Sequence, residues 1–518
     1  MEDLYDIKAI ESGLRGITSM MPRGSMPILE KAIDSSINKL NEPMQLAIIG
    51  KISSSKSTLV NAILGKQEVM STGQKEVTYN VGWLKYGDPE SDIIIHHKDG
   101  SPNTTKKKAE FEKWTTESKD SEIDNISYIE IFDDAEILKH INIIDTPGLD
   151  ALRGKDSQNT LDFIKKVRPD AVIMLFTHSV SENILDIVSQ YNTGSTFNPL
   201  NAIGVLSKID VLWQEDFERK KTPLEIGSRM STNRMSKDEL IKKTLFNIYP
   251  ISALLYLASS QFNDTLFDDI RAVAESDSSA VRQALKSVPN FLKEDININL
   301  SSDKRKQLIE QLGLYGVYLV IQLLNSDKSL TVNDVKERFK LESGATEFSK
   351  ILHNHFGARA KLIKMESIFQ TLIQSVKREK NTTSDKLKQQ ILTTIKRKIS
   401  DIFASLVYEH GEYELLYKIY NNKIELDDDI RSEFINLCGE HGTSAPERLG
   451  MKTGTEVDLL INTAQEREKI WKKNISLEPD PEERIWMKII LSSYIRLNSK
   501  IKKSVYQYEQ AKAFLYNH

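Results

Sequence analysis

A chain of 518 residues exceeds one ordinary hydrophobic core and predicts two or three domains. Its 39% hydrophobic and 28% charged residues are those of a soluble, helix-capable globular protein, and 70 Lys+Arg against 74 Asp+Glu give no overall electrostatic preference for nucleic acid. The single cysteine, Cys438, excludes an intrachain disulfide framework and a cysteine-rich metal site, and fits a reducing compartment.

The opening MEDLYDIKAIESG is acidic and lacks a basic-then-apolar secretory pattern. No apolar run reaches the roughly 18–20 residues that span a bilayer; LGLYGVYLVIQLL, 312–324, reads as a buried helix. A cytoplasmic location is expected, with reversible attachment to a membrane surface left open. MPILEKAIDSSINKL carries helical periodicity until NEP interrupts it. Because it precedes the first strand, it is expected to pack against helices encoded later.

From residue 46 the texture changes to short apolar runs followed by helical patterns: LAIIG, INIID at 141–145, AVIMLF at 171–176 and AIGVLS at 202–207. Such runs predict a largely parallel sheet covered on both faces. Between the first two, TYNVGWLKYG, SDIIIHHKDG and NISYIEIFDD read as strands, the first two as a hairpin and the third after a Lys-rich helical stretch. They add antiparallel members to a mixed sheet. Beyond about residue 270 the pattern is helical, with apolar residues at three- and four-residue intervals and a loop at 439–456. The expected division is an amino-terminal helical segment at 1–42, an α/β domain at 43–270, and a helical domain at 271–518.

Four short stretches carry candidate chemistry. IIGKISSSKSTLVNAILG, 48–65, approaches the phosphate-loop pattern G-x-x-x-x-G-K-[S/T], with Gly50, Lys56 and Ser57 in register and Ser55 in place of the second glycine. Strand, loop and helix follow in the order a phosphate cradle requires. Backbone N–H groups along Ser53, Ser54, Ser55 and Thr58 face a phosphate, Lys56 reaches its outer oxygens, and Ser57 offers a Mg²⁺ ligand. If residue 55 needs a positive φ, a side chain there costs about 1–2 kcal/mol and crowds the phosphate. With 1.4 kcal/mol per factor of ten, that weakens binding by about tenfold rather than abolishing it.

In IIDTPGLDALRG, 143–154, Asp145 ends a strand and can hold a Mg²⁺-bound water, while the Gly148 N–H can sense a terminal phosphate. GVLSKID, 204–210, brings Ser207, Lys208 and Asp210 to another strand end: the Asp210 carboxylate suits the adjacent donors of guanine, and the Lys208 stem can cover the ring. Together these motifs select GTP over ATP. Thr78 can complete the Mg²⁺ shell, and YPISA, 249–253, can set the Ser252 and Ala253 backbone against the base. His96, His97, His353 and His355 read as surface or packing residues, because no ligand motif accompanies them.

Taken together, GKISSSKST, Thr78, DTPG and SKID resemble the ordered motif set of the dynamin superfamily, particularly bacterial dynamin-like proteins, over roughly 46–260. The resemblance implies a P-loop GTPase domain of α/β class with a mixed, mostly parallel sheet, joined to an elongated all-α bundle or stalk. It implies that Ser53 contacts the phosphates and helps seat a monovalent cation, K⁺ or Na⁺; that Ser53, Lys56, Thr78 and Gly148 serve catalysis; and that Ser57, Thr78 and Asp145, the last through water, organise Mg²⁺. Hydrolysis of GTP to GDP and phosphate follows, by in-line attack of water. The family parallel also implies pairing of GTPase domains into a homodimer or oligomer, or pairing with a related dynamin-like subunit.

Residues 377–398, with eight Lys/Arg and two acidic residues, offer an anionic membrane surface a contact of net charge +6, although a solvated bundle face explains the same run. Two other functions fit the motifs: a nucleotide-dependent scaffold that scarcely hydrolyses GTP, favoured by Ser55, and a non-membrane signalling GTPase with a helical partner-binding domain.

Overall fold

The computed structural model describes residues 7–51, 54–66, 69–70, 80–111, 114, 125–146, 169–177, 201–216, 221–357, 359–404, 406–420, 424, 426–442 and 444–516. They fall into two compact units, one within 43–349 and one joining 1–42 to 350–518.

The 43–349 unit is built on a nine-stranded sheet: β1 (Met44–Gly50), β2 (Gly82–Tyr86), β3 (Ile93–His97), β4 (Thr104–Lys106), β5 (Ile126–Asp133), β6 (Ile141–Asp145), β7 (Ala171–Phe176), β8 (Ala202–Ser207) and β9 (Ile248–Ile251), in spatial order β4-β3-β5-β2-β6-β1-β7-β8-β9. From β6 to β9 every pair is parallel. Every residue of β1, β6, β7 and β8 is buried, which is why these strands read as uninterrupted apolar runs rather than alternations.

The expected β2–β3 hairpin is not formed. β5 lies between these strands, parallel to β2 and antiparallel to β3. The hairpin is instead β3–β4, turned at Asp99-Gly100, where Gly100 has φ 79° and Asp99 accepts from the Ser101 N–H at 2.9 Å. An Asp-Gly pair is a strong local turn signal, whereas no local signal predicts that the eight-residue β5 outcompetes β3 for the edge of β2. The start of the Lys-rich stretch is thus β4, followed by a short 3₁₀ turn, Lys108–Glu110. His96, half-buried, stacks on Tyr128 at 4.1 Å, a packing role.

The unit continues well past the change of texture near residue 270. Phe262, Phe267 and Leu255 share one core with Leu308, Leu312, Val317 and Phe339 from the helices Ser302–Ser326 and Val332–Glu342. Local pattern marks where strands stop alternating with helices; shared burial decides where a core ends. Helix Ser302–Ser326 is, among the described residues, the one long and apolar enough to cross a bilayer, and just over half of its apolar window is buried in this core.

In the other unit, helices Ile7–Ser19 and Pro27–Leu40 bury Leu14, Leu29 and Ile33 with Met365, Leu372, Leu392 and Ile399 of helices Ala360–Asn381 and Lys386–Ile402. The Lys364 ammonium, buried, donates to Leu40 O at 2.7 Å, at the end of the second helix. A second core unites Leu416, Phe434, Leu460, Trp471, Trp486 and Tyr494. Within 439–456, expected as loop, Ala445–Arg448 forms one helical turn because Ser444 and Glu447 make a reciprocal capping box.

Candidate nucleotide-binding site

Strand register assembles the site. Pairing of Ile48 with Asp145 and of Gly50 with Leu175 brings the ends of β1, β6 and β7 level, and pairing of Ser207 with Ile251 does the same for β8 and β9. The residues that follow these strands therefore collect at the carboxyl edge of one parallel sheet, where open α/β folds bind ligands.

At β1 the chain must leave the strand and enter helix Lys56–Leu64 within a few residues. Gly50 allows this by close approach: a Cβ there would lie 2.7 Å from Ser54 Oγ and 3.0 Å from Leu175 O. Ser55 makes the entry into the helix with φ 65° and ψ 34°. Residue 55 thus has the positive φ at which a side chain is strained. Among the described residues only Ser55 and Lys208 combine a side chain with a left-handed backbone, and both lie in candidate site motifs. Strained backbone of this kind concentrates where structure serves function.

Ser55→Gly is expected to raise folding stability by at most about 1 kcal/mol, because the greater freedom of glycine in the unfolded chain offsets part of the relieved strain. GTP affinity should change by no more than about tenfold. Thermal melting and equilibrium titration check the two quantities.

Lys56 is buried, and its ammonium donates to Gly50 O at 3.2 Å and Lys51 O at 2.9 Å, within the arc of the loop. The Ser57 hydroxyl donates to Asp145 Oδ2 at 2.8 Å, so the two expected Mg²⁺-organising groups from separate motifs are neighbours. Ser54 is buried, and its hydroxyl has no hydrogen-bond partner among the described residues. Thr58 is buried in the first turn of the helix. Ser53, Thr78 and Gly148 lie outside the described residues.

Among the described residues no three His, Cys, Asp or Glu side chains are grouped so as to hold a metal ion by themselves. One carboxylate beside one hydroxyl nevertheless fits Mg²⁺, which keeps several waters and takes its remaining ligands from phosphates.

At β8 the residues divide their work. The Ser207 hydroxyl, buried, donates to Phe176 O at 3.0 Å and so ties β8 to β7. Lys208 is half-buried with φ 57°. The Ser252 hydroxyl donates to Asp210 Oδ1 at 2.7 Å and accepts from Leu255 N at 3.3 Å, capping helix Ala253–Gln261. The Ser252 N–H donates to Ser343 O at 3.0 Å, and the residue reaches Asp210 through its side chain. Ala253 is buried as the first helical residue. Burial pushes the Asp210 carboxyl above the usual carboxylate range, opposed by the Ser252 hydroxyl and the Lys208 charge.

Sequence reasoning missed two supports. The buried Thr146 hydroxyl donates to Ile48 O at 2.8 Å, pinning the chain after Asp145 to β1. Asn61, fully buried, pairs with the Met70 backbone in both directions, Nδ2 to O at 2.9 Å and N to Oδ1 at 2.8 Å. A polar residue on an otherwise apolar helix face, as in LVNAIL, is the one signal that pointed to the second.

Residues 46–209 match the Dynamin family. The chain is 25% identical over 428 residues to the isoniazid-induced protein IniC of Mycobacterium tuberculosis, covering 80% of this chain and 81% of that protein. It is 23% identical over 478 residues to dynamin-like protein 2 of Campylobacter jejuni, covering 84% and 73%. A solved structure described as "An oligomerised bacterial dynamin pair provides a mechanism for the long-range sensing and tethering of membranes" aligns with 100% of this chain and 93% of its own at 15% identity, with a TM-score of 0.35, too low to establish a common overall fold. Residues 46–209, within the α/β unit, carry a GTPase domain of the Dynamin family.

Proposed function

We propose that the chain is a dynamin-like GTPase that reads guanine at the ends of β8 and β9, hydrolyses GTP at the ends of β1 and β6, and couples turnover to self-association at a membrane surface. One observation carries the reading: the Ser57–Asp145 contact and the Asp210–Ser252 contact stand along the carboxyl edge of a single parallel sheet. That edge offers a phosphate end and a base end to one nucleotide.

In this reading the loop Gly50–Ser57 cradles the phosphates, with Ser53, Ser54, Ser55 and Thr58 supplying backbone donors. Lys56 moves from the loop carbonyls to the outer phosphate oxygens. Ser57, Thr78 and Asp145, the last through water, hold Mg²⁺, which neutralises phosphate charge; Ser53 also helps seat K⁺ or Na⁺. The Gly148 N–H senses the γ-phosphate. Lys208 covers the ring, Asp210 accepts from the guanine donors, and Ser252 keeps that carboxylate oriented beside Ala253. Water attacks the γ-phosphate in line, and positioning with charge stabilisation supplies the rate.

Pairing of GTPase domains, in a homodimer or with a related subunit, completes the switch segments. The solved dynamin pair is described as oligomerised and membrane-tethering, and this chain is proposed to act in the same manner. Lys377, Arg378, Lys380 and Lys386 are exposed around the turn between helices Ala360–Asn381 and Lys386–Ile402, and Lys396, Arg397 and Lys398 are exposed farther along the second, which suits them to anionic headgroups. A cytoplasmic protein that visits membranes peripherally follows from this reading. A scaffold with weak hydrolysis draws on one specific observation, the left-handed Ser55.

Phosphate release from GTP and from ATP, measured with and without Mg²⁺ and anionic vesicles over a range of protein concentrations, separates these readings. Mg²⁺-dependent GTP turnover per molecule that rises with concentration and with vesicles is expected. Tight GTP binding without release identifies the scaffold, and absence of Mg²⁺-dependent guanine binding overturns both.

A further inference from the structure

The base-reading end of the site is backed by helices from beyond the strand–helix alternation. Helix Ser302–Ser326 is broken by Gly313, which has φ 68° and ψ 170°. A Cβ on Gly313 would lie 3.7 Å from Asp210 Oδ2 and 3.3 Å from Leu254 Cδ2. Leu254 is two residues past Ser252, whose hydroxyl holds the other oxygen of Asp210. The chain turn after Asp210 is fastened to the same helix, because Trp213 stacks on Tyr318 at 4.7 Å and 22°.

The neighbouring helix, Val332–Glu342, supports the second residue of the pair. Ser343 O, just past its end, accepts the Ser252 N–H at 3.0 Å. Gly344, with φ 77°, lies so close to β9 that a Cβ would sit 2.2 Å from Pro250 O. Tyr315 OH donates to Glu342 at 3.2 Å and links the two helices. One helix pair therefore abuts Asp210 and holds Ser252, the two residues that present the carboxylate.

We infer that Gly313 is a positioning residue of the base site: the bend that only glycine adopts without strain seats the helix pair in van der Waals contact with Asp210 Oδ2 and Leu254, so the direction of the carboxylate, and with it the choice of base, is set by the helix pair. A helix-breaking glycine facing a carboxylate oxygen across van der Waals distance has no equivalent role in the helix core, where Gly316 meets the apolar side chains of Leu255, Leu312 and Phe339. The inference rests on Asp210 being the guanine acceptor.

The test compares binding of GDP, IDP and ADP by the full chain. IDP lacks the exocyclic amino group of guanine, so the unaltered protein is expected to prefer GDP to IDP by about tenfold or more. Gly313→Ala, strained at φ 68° and with its Cβ 3.3 Å from Leu254 Cδ2, is expected to narrow that preference at least about threefold by shifting the bend against Asp210. Gly313→Asn meets the same backbone strain at φ 68° and ψ 170° with a larger side chain, and is expected to narrow it at least as far. Gly316→Ala, whose Cβ would meet Leu255 at 2.9 Å, is expected to lower the melting temperature and keep the GDP:IDP ratio.

In the unaltered chain, GDP should slow amide hydrogen exchange at 311–318 more than IDP does. The inference is overturned if the Gly313 variants keep the ratio within about twofold, if Gly316→Ala narrows it equally, or if GDP and IDP protect 311–318 alike. A protein that binds ADP as well as GDP instead refutes the guanine reading itself.

Discussion

Replacing Lys56 with alanine is expected to lower GTP turnover by about 100- to 1,000-fold, the loss typical of removing one charged group that stabilises a transition state in a water-poor site. Lys56 is well placed for such an effect. Its ammonium is buried and held by Gly50 O and Lys51 O at 3.2 and 2.9 Å, so it already lies inside the loop. Exchanging two carbonyl contacts for phosphate oxygens requires a short swing of a charge that is already desolvated. Single-turnover phosphate release, with binding of GTP and GDP measured alongside, checks the expectation. A variant that melts as the parent does but turns over within threefold of it would falsify the assignment of Lys56 to the phosphates.

Asp210→Asn is expected to weaken GDP binding by about 30- to 1,000-fold, about 2–4 kcal/mol, because a bidentate acceptor is lost and an amide is left facing guanine donors. The loss is chemical rather than steric. Xanthosine diphosphate, which carries a carbonyl in place of the exocyclic amino group, should bind the variant better than it binds the parent.

The acidity of Asp210 adds a second readout. Burial raises its carboxyl, so on acidification the charge disappears at a higher pH than for an ordinary aspartate. Guanine binding requires the ionised form, and the GDP:ADP affinity ratio should therefore fall as pH decreases through that raised range, and be restored as pH increases. Taking the ratio cancels titration of the phosphates. In Asp210→Asn the step should vanish; a parent ratio that stays flat down to the ordinary aspartate range would mean that Asp210 does not accept from the base.

These predictions rest on residues that short motifs announced, and it matters which part of the site was legible in that way. Lys56, Ser57, Asp145 and Asp210 each lie at or beyond the end of an apolar strand, and the motif order by itself assigns them to one nucleotide. The uses of neighbouring hydroxyls were not legible. Ser207 ties two strands together through Phe176 O, and Ser252 spends its N–H on Ser343, because hydrogen-bond partners depend on what lies opposite across the fold. The membership of β5 between β2 and β3 was hidden for the same reason. Strand propensity is local, but the partner along each edge is whichever strand buries the most while satisfying its backbone.

The amino-acid sequence alone determined the order of the elements, the fully buried parallel strands, the phosphate loop with its serine at residue 55, and the carboxylates at two strand ends. These are consequences of side-chain periodicity and turn chemistry acting over a few residues. Tertiary structure decided that residue 55 is left-handed, that the α/β core keeps the helices up to Ser349, and that Gly313 lies against Asp210. Each of these depends on groups distant in sequence competing for the same buried space, and no local pattern records the outcome of that competition.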